Sequence, residues 1–213
     1  MPILLIRHGE SEGNASGVIQ GRLDVGLTAL GRQQAGQTAE ALAYAEPPIE
    51  GVVSSVLQRA RMTADIIAER LGIPVELDED LVEYDHGELS GLTRQQIGER
   101  FPHLSQSGIA VTRDGTWPSI PGEEGRDVLF ARAQRALERL QADGRNVAVV
   151  THGGFINAAC HAVLGLDYVN KPQGFRSGNA GVSEIRLDRQ GRPILHRHND
   201  ACHLKIRTQP LEA

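Results

Sequence analysis

Residues 2–13 read PILLIRHGESEG. The apolar run from Ile3 to Ile6 is too short for a helix and has the length of a strand buried on both faces. It stops abruptly at Arg7, His8 and Gly9, so the chain passes straight from core to reactive polar residues. A second such run, NVAVVTHGG over 146–154, ends the same way at Thr151, His152 and Gly153. A third, EGVVSS over 50–55, ends at Ser54 and Ser55, with Arg59 and Arg61 a turn beyond. Longer stretches of helical period separate these runs, the alternation of an α/β chain with a parallel sheet and crossover helices.

Working outward, the parallel strands are expected at 2–7, 50–54, 73–77 and 146–151. A late pair at 181–187 and 193–198, joined by the turn-rich link Asp188–Arg192, predicts an antiparallel hairpin on one side of the sheet. Helices fit 28–45 with Thr28 as N-cap, and 57–71 ended by Gly72 and Pro74. Two more fit about 126–142, with Leu129, Ala133, Ala136, Leu137 and Leu140 on one face, and Gly153 to near Gly165. The stretch 101–125 is rich in proline and glycine and reads as a long irregular excursion, a lid or binding loop. With no repeat, low-complexity tract or linker, one domain over 1–213 is expected, its cap-like excursion at about 85–125.

Composition narrows the function. With 40% apolar and 23% charged residues the 213-residue chain is globular rather than disordered. A net charge of −5, 4% aromatics and no basic run argue against nucleic acid. All the basic residues are arginine except Lys171 and Lys205, which fits either codon bias or bidentate anion binding. The apolar opening is too short for a signal-peptide core or a membrane span, and Cys160 and Cys202 stand apart. A cytoplasmic chain with reduced thiols and no membrane partner is the expectation.

In open α/β sheets, ligands bind outside the carboxyl ends of the strands. His8, Arg59 and His152 should therefore meet at one edge. Two histidines and at least two arginines make a cationic pocket suited to a dianion such as a phosphate monoester. A neutral His8 imidazole could attack phosphorus, with Arg7 keeping it neutral and clamping the oxygens. Gly153 and Gly154 open a helix whose free N–H groups favour an anion. A metal site is disfavoured by the neighbouring cations Arg7 and Arg59. A competing pattern exists: Gly9-Glu10-Ser11-Glu12-Gly13 matches the G-x-S-x-G nucleophile elbow. The elbow must run directly into a helix, whereas 14–21 reads as loop, and two glutamates flank Ser11. No nucleotide-binding glycine loop occurs.

Arg7-His8-Gly9, Ser11 and Asn14 resemble the R-H-G-x-S/T-x-x-N signature of the histidine phosphatase, or phosphoglycerate mutase-like, superfamily. The resemblance continues in order through Gln20–Asp24 with Leu27–Ala35, Ser54–Ala64, Leu81–Gly91, Val149–Gly154 and Asn199–Leu204. It implies a three-layer α/β/α sandwich, mostly parallel, with no cofactor. It also implies that His8 is the nucleophile and that Arg7, Arg59 and His152 hold the phosphoryl group. Asn14 and the backbone near Gly153 assist, Gln20 and Gly21 contact substrate, and Glu83 acts as general acid and then base. That role needs a carboxyl protonated near neutrality, which desolvation or a phosphoryl dianion would favour. Val56 stands where many members have proline, and Leu89 where an aromatic is common, a change expected to alter the pocket wall near Glu83. His203 is expected to be structural. The implied function is phosphomonoester hydrolysis on small metabolites. The alternatives are a phosphoglycerate mutase and a catalytically weak protein-binding member. No lysine follows the acid loop, Arg113 has no adjacent arginine, and Pro121-Gly122-Glu123-Glu124 resembles the phosphatase branch. A homo-oligomer is compatible with the sequence.

Overall fold

The computed structural model describes residues 1–102, 104, 119–170 and 174–205. Its strands are β1 (Ile3–Arg7), β2 (Gly51–Ser54), β3 (Val75–Leu77), β4 (Val147–Thr151), β5 (Val182–Leu187) and β6 (Pro193–Asp200). They form one sheet in the order β3-β2-β4-β1-β5-β6. The first four are parallel, with Ile3 opposite Val147 and Arg7 opposite Thr151. β5 and β6 pair antiparallel on the free side of β1, as the hairpin reading anticipated.

The helices are α1 (Glu12–Ala15), α2 (Ala29–Leu42), α3 (Gln58–Leu71), α4 (Arg94–Arg100), α5 (Arg126–Asp143) and α6 (Gly153–Leu164). Side chains alternate across a strand, so a run apolar at every position feeds two cores. Ile3, Leu5, Val147 and Val149 pack against Leu129, Ala133, Leu137, Phe155 and Ile156 of α5 and α6. Leu4, Ile6, Ala148 and Val150 pack on the other face against Ala39, Ala60, Ala64 and Ile67 of α2 and α3. That is the expected three-layer sandwich. Among the described residues no helix is long and apolar enough to cross a membrane.

Two readings need correction. Residues 14–21 are not wholly loop: Ser11 caps the one-turn helix α1, its hydroxyl accepting from Asn14 N while the Asn14 side chain accepts from Ser11 N. Four residues are too few to show a period. Leu89 does not wall the pocket; it is fully buried with Ile97, Leu104 and Ile120 in a small third core. Residues 103 and 105–118 of the excursion, Arg113 among them, lie outside the described residues, as does Lys171.

The turn after β1 is pressed onto the start of α2. A Cβ on Gly31 would overlap the Glu10 carbonyl oxygen, a backbone atom that cannot yield alone. Gly31→Ala should destabilise the chain by about 3 kcal/mol or more. Gly36 lies in the same helix with nothing within 4 Å of its would-be Cβ. Gly36→Ala should therefore stabilise by about 0.5–1 kcal/mol. Denaturant unfolding of the two variants checks the opposite signs; a shared sign would refute the packing argument.

Candidate active site

Because β2, β4 and β1 are neighbours, their carboxyl ends deliver Ser55, His152 and His8 to one place. His8 follows β1 and is 2% exposed. Its Nδ1 lies 2.7 Å from the Gly9 carbonyl oxygen, which can only accept, so Nδ1 carries the proton and Nε2 the lone pair. Arg59 Nε donates to that Nε2 at 3.3 Å. Desolvation first, then the charges of Arg59 and Arg7, hold the imidazole pKa well below its usual 6.5. The ring is neutral and nucleophilic at physiological pH.

His152 caps α6 and is fully buried, its ring centroid 5.3 Å from that of His8. Its Nε2 is 2.8 Å from Ser55 Oγ. Burial, and then Arg59, push its pKa well below 6.5 too. Arg59 comes from the first turn of α3 and is 1% exposed. Its Nη1 and Nη2 donate to Leu23 O at 2.7 Å and Gly21 O at 2.8 Å, so it also fixes the loop after α1. Arg7 Nη1 donates to Ser177 O at 2.6 Å. Among the described residues neither Arg7 Nε nor His152 Nδ1 has a hydrogen-bond partner, although both atoms are buried. Buried polar atoms are nearly always paired. Each residue is thus left with a polar group that a ligand would satisfy.

Glu83 stands across this pocket on an extended segment after β3. Its carboxylate accepts from Tyr84 N at 2.8 Å and from Gly154 N at 3.0 Å. It is close enough to Arg7 and Arg59 to oppose the lowering of their pKa by burial. Nucleophile, cations and acid candidate thus converge from four segments.

The remaining predicted residues fall around them. Asn14 Oδ1 accepts from Asn179 Nδ2 at 3.0 Å, leaving its amide N–H groups as the part that can meet an anion. Gly21, at φ 51°, presents its carbonyl to Arg59. Gln20 Oε1 lies 2.8 Å from Ser11 Oγ, placing Gln20 under the loop. Gly153 opens α6 with the Arg7 guanidinium 3.7 Å from where a Cβ would stand. Ser11 is fully buried, its Oγ engaged by Asn14 and Gln20, and is no exposed elbow nucleophile. His203 Nε2 meets Thr38 Oγ1 at 3.0 Å. Among the described residues no group of three or more His, Cys, Asp and Glu could hold a metal ion.

Sequence reading missed Asn179, whose Nδ2 also donates to His8 O at 3.2 Å. It sits in an aperiodic stretch that gives no local signal. It also missed Arg132 on α5, buried at 6% exposure. Here a signal existed: an arginine interrupting the apolar stripe of Leu129, Ala133 and Ala136.

The two neutral rings make stability pH-dependent. In the unfolded chain both titrate near 6.5, and in the folded chain well below it. Their contribution is complete above pH 6.5 and is lost as the pH falls below it, because acid protonates the unfolded chain first. Each ring should add a slope of up to about 1.4 kcal/mol per pH unit. Unfolding free energies measured from pH 7 to 5 should show this fall, and His152→Gln should remove its own share, up to about 1.4 kcal/mol per pH unit. An unchanged slope in that variant would contradict the burial argument.

A sequence model of the histidine phosphatase superfamily (branch 1) matches residues 3–201. Phosphoglycerate mutase-like protein 4 of Arabidopsis thaliana is 41% identical over 160 residues, 73% of this chain and 68% of that protein. The metal-independent phosphoserine phosphatase of the same plant is 35% identical over 208 residues, 95% of this chain and 82% of its own length. Among solved structures, mycobacterial glucosyl-3-phosphoglycerate phosphatase in complex with VO3 superposes with a TM-score of 0.81 at 32% identity. The superposition covers 93% of this chain and 98% of that one.

Proposed function

The chain belongs to the histidine phosphatase superfamily, and on that footing we propose that it is a metal-independent phosphomonoesterase working through a phosphohistidine. His8 Nε2 attacks phosphorus while the ester P–O bond breaks and the Glu83 carboxyl passes its proton to the leaving oxygen. Water then attacks the phosphorus of the phosphohistidine, giving a proton to the Glu83 carboxylate, while the P–N bond breaks and its electron pair returns to His8 Nε2, releasing inorganic phosphate. Arg7, Arg59, His152 Nδ1 and the Asn14 amide hold the equatorial oxygens, whose charge grows in each transition state. The observation that carries this reading is the pair of buried, unpartnered groups, Arg7 Nε and His152 Nδ1, beside a His8 ring whose lone pair faces Arg59.

The substrates are small phosphorylated metabolites. The relatives named for phosphoserine and glucosyl-3-phosphoglycerate support that class, and the name of the plant phosphoserine phosphatase, "metal-independent", supports a reaction without a metal. The free thiols Cys160 and Cys202 support a reducing compartment, the cytoplasm.

The test is phosphate release from a chromogenic phosphomonoester in the presence of a strong chelator. Full activity is expected under chelation, with vanadate inhibiting. Activity lost on chelation and restored by a divalent ion would overturn the proposal.

A further inference from the structure

The segment that presents Glu83 has little regular structure of its own: one 3-10 turn, Glu79–Leu81, and extended residues after it. It is held by a side chain from α5. Arg132 Nη1 donates to Asp80 O at 2.6 Å and to Val82 O at 2.7 Å. Its Nη2 reaches Glu83 O at 3.5 Å and the Glu124 carboxylate at 2.7 Å. Thr151 Oγ1, at the end of β4, donates to the intervening Leu81 O at 2.7 Å. Four successive carbonyls, from 80 to 83, are thus gripped from the sandwich.

Packing alone does not explain a buried guanidinium on the apolar face of α5, since an apolar side chain would fill the place without the desolvation cost. What arginine adds is a rigid planar fork that reaches several acceptors at once. The tie continues: the other oxygen of Glu124 pairs with Arg22. The neighbours of Arg22 are Gly21 and Leu23, whose carbonyls accept from Arg59. Arg59 in turn touches His8 Nε2. Joined through the backbone of residues 21–23, these bonds link the surroundings of His8 to the segment that carries Glu83.

We propose that Arg132 is a positioning residue for proton transfer: with Glu124 and Arg22 it sets where the Glu83 carboxyl stands relative to the phosphorus held at His8. The proposal rests on the reading of Glu83 as general acid given above. Arg132 touches no substrate. Its loss misplaces the donor of the proton and leaves the phosphoryl cradle of Arg7, Arg59 and His152 in place.

The test is rapid-quench formation of phosphohistidine from a series of aryl phosphates of graded leaving-group acidity. An acid matters little for a good leaving group and much for a poor one. Arg132→Met should slow labelling about 100-fold with the poorest leaving group and less than about 5-fold with p-nitrophenyl phosphate, as Glu83→Gln does. In a Glu83→Gln background, Arg132→Met should add less than about 2-fold. The Kd for inorganic phosphate should hold within about 3-fold. Should Arg132→Met fail to fold, Arg132→Lys keeps the charge beside Glu124 while losing the fork, and should show the same pattern at about 10-fold. A merely structural arginine would lower all rates in parallel and would cost as much with Glu83→Gln as without it; either result overturns the proposal. Wild-type protein that never labels His8 would instead overturn the phosphatase reading, and this assignment with it.

Discussion

Replacing His8 by alanine is expected to abolish turnover, with phosphate release from any monoester falling by at least about 10⁴-fold. The expectation rests on which nitrogen holds a lone pair toward the pocket. His8 Nδ1 is spent on the Gly9 carbonyl, so the lone pair is on Nε2, where only Arg59 Nε approaches it among the described residues, at 3.3 Å. His152 cannot take over from where it stands: Ser55 Oγ accepts from Leu57 N and so donates to His152 Nε2, which leaves the proton, not a lone pair, on Nδ1. Arg7 and Arg59 remain in the variant, so inorganic phosphate should still bind within about tenfold of the parent affinity. Acid-quenched protein should contain no phosphohistidine. Hydrolysis retained within tenfold of the parent would remove His8 from the role of nucleophile.

The second large effect is at Glu83, and it should separate the two half-reactions. With p-nitrophenyl phosphate the leaving group departs without a proton, so Glu83→Gln should still phosphorylate His8. The hydrolysis that follows needs a base for water, and that step should slow by about 10²–10⁴-fold. The visible result is one equivalent of nitrophenol released in a burst, followed by protein carrying phosphorus on His8. Tyr84 N and Gly154 N donate to different carboxylate oxygens, so the glutamine keeps an acceptor for one of them, while Arg132 still holds the carbonyls of the segment in place. A variant that turns over at the parent rate, with no accumulated phosphoenzyme, would show that another group serves water.

The sheet and the meeting of His8, Arg59 and His152 were legible in the sequence because strands buried on both faces write continuous apolar runs. Where such runs end is where a parallel sheet opens. The capping helix α1 was not legible, since Glu12–Ala15 spans a single turn. Helix α4 was missed for a different reason. Its face toward the small core offers little more than Ile97, yet Thr93 and Gln96 form a capping box that could have been read. Glu83 came into view through motif resemblance alone, because an isolated carboxylate on an irregular segment has no period to betray it. The bond of Asn179 to His8 and that of Arg132 to Val82 join residues 171 and 50 apart along the chain, which no local window contains.

The strand order has a consequence for how the chain comes to work. Residues 8, 59, 83 and 152 are joined by no short piece of polypeptide, and β4 (Val147–Thr151), which delivers His152, is slotted between β1 (Ile3–Arg7) and β2 (Gly51–Ser54). An amino-terminal fragment that stops before β4 would own His8 and Glu83 and still lack His152. Such long-range pairings are made late and slowly in folding. Appearance of enzymatic activity during refolding should therefore coincide with the last insertion into the sheet, so that catalysis itself reports the completed topology.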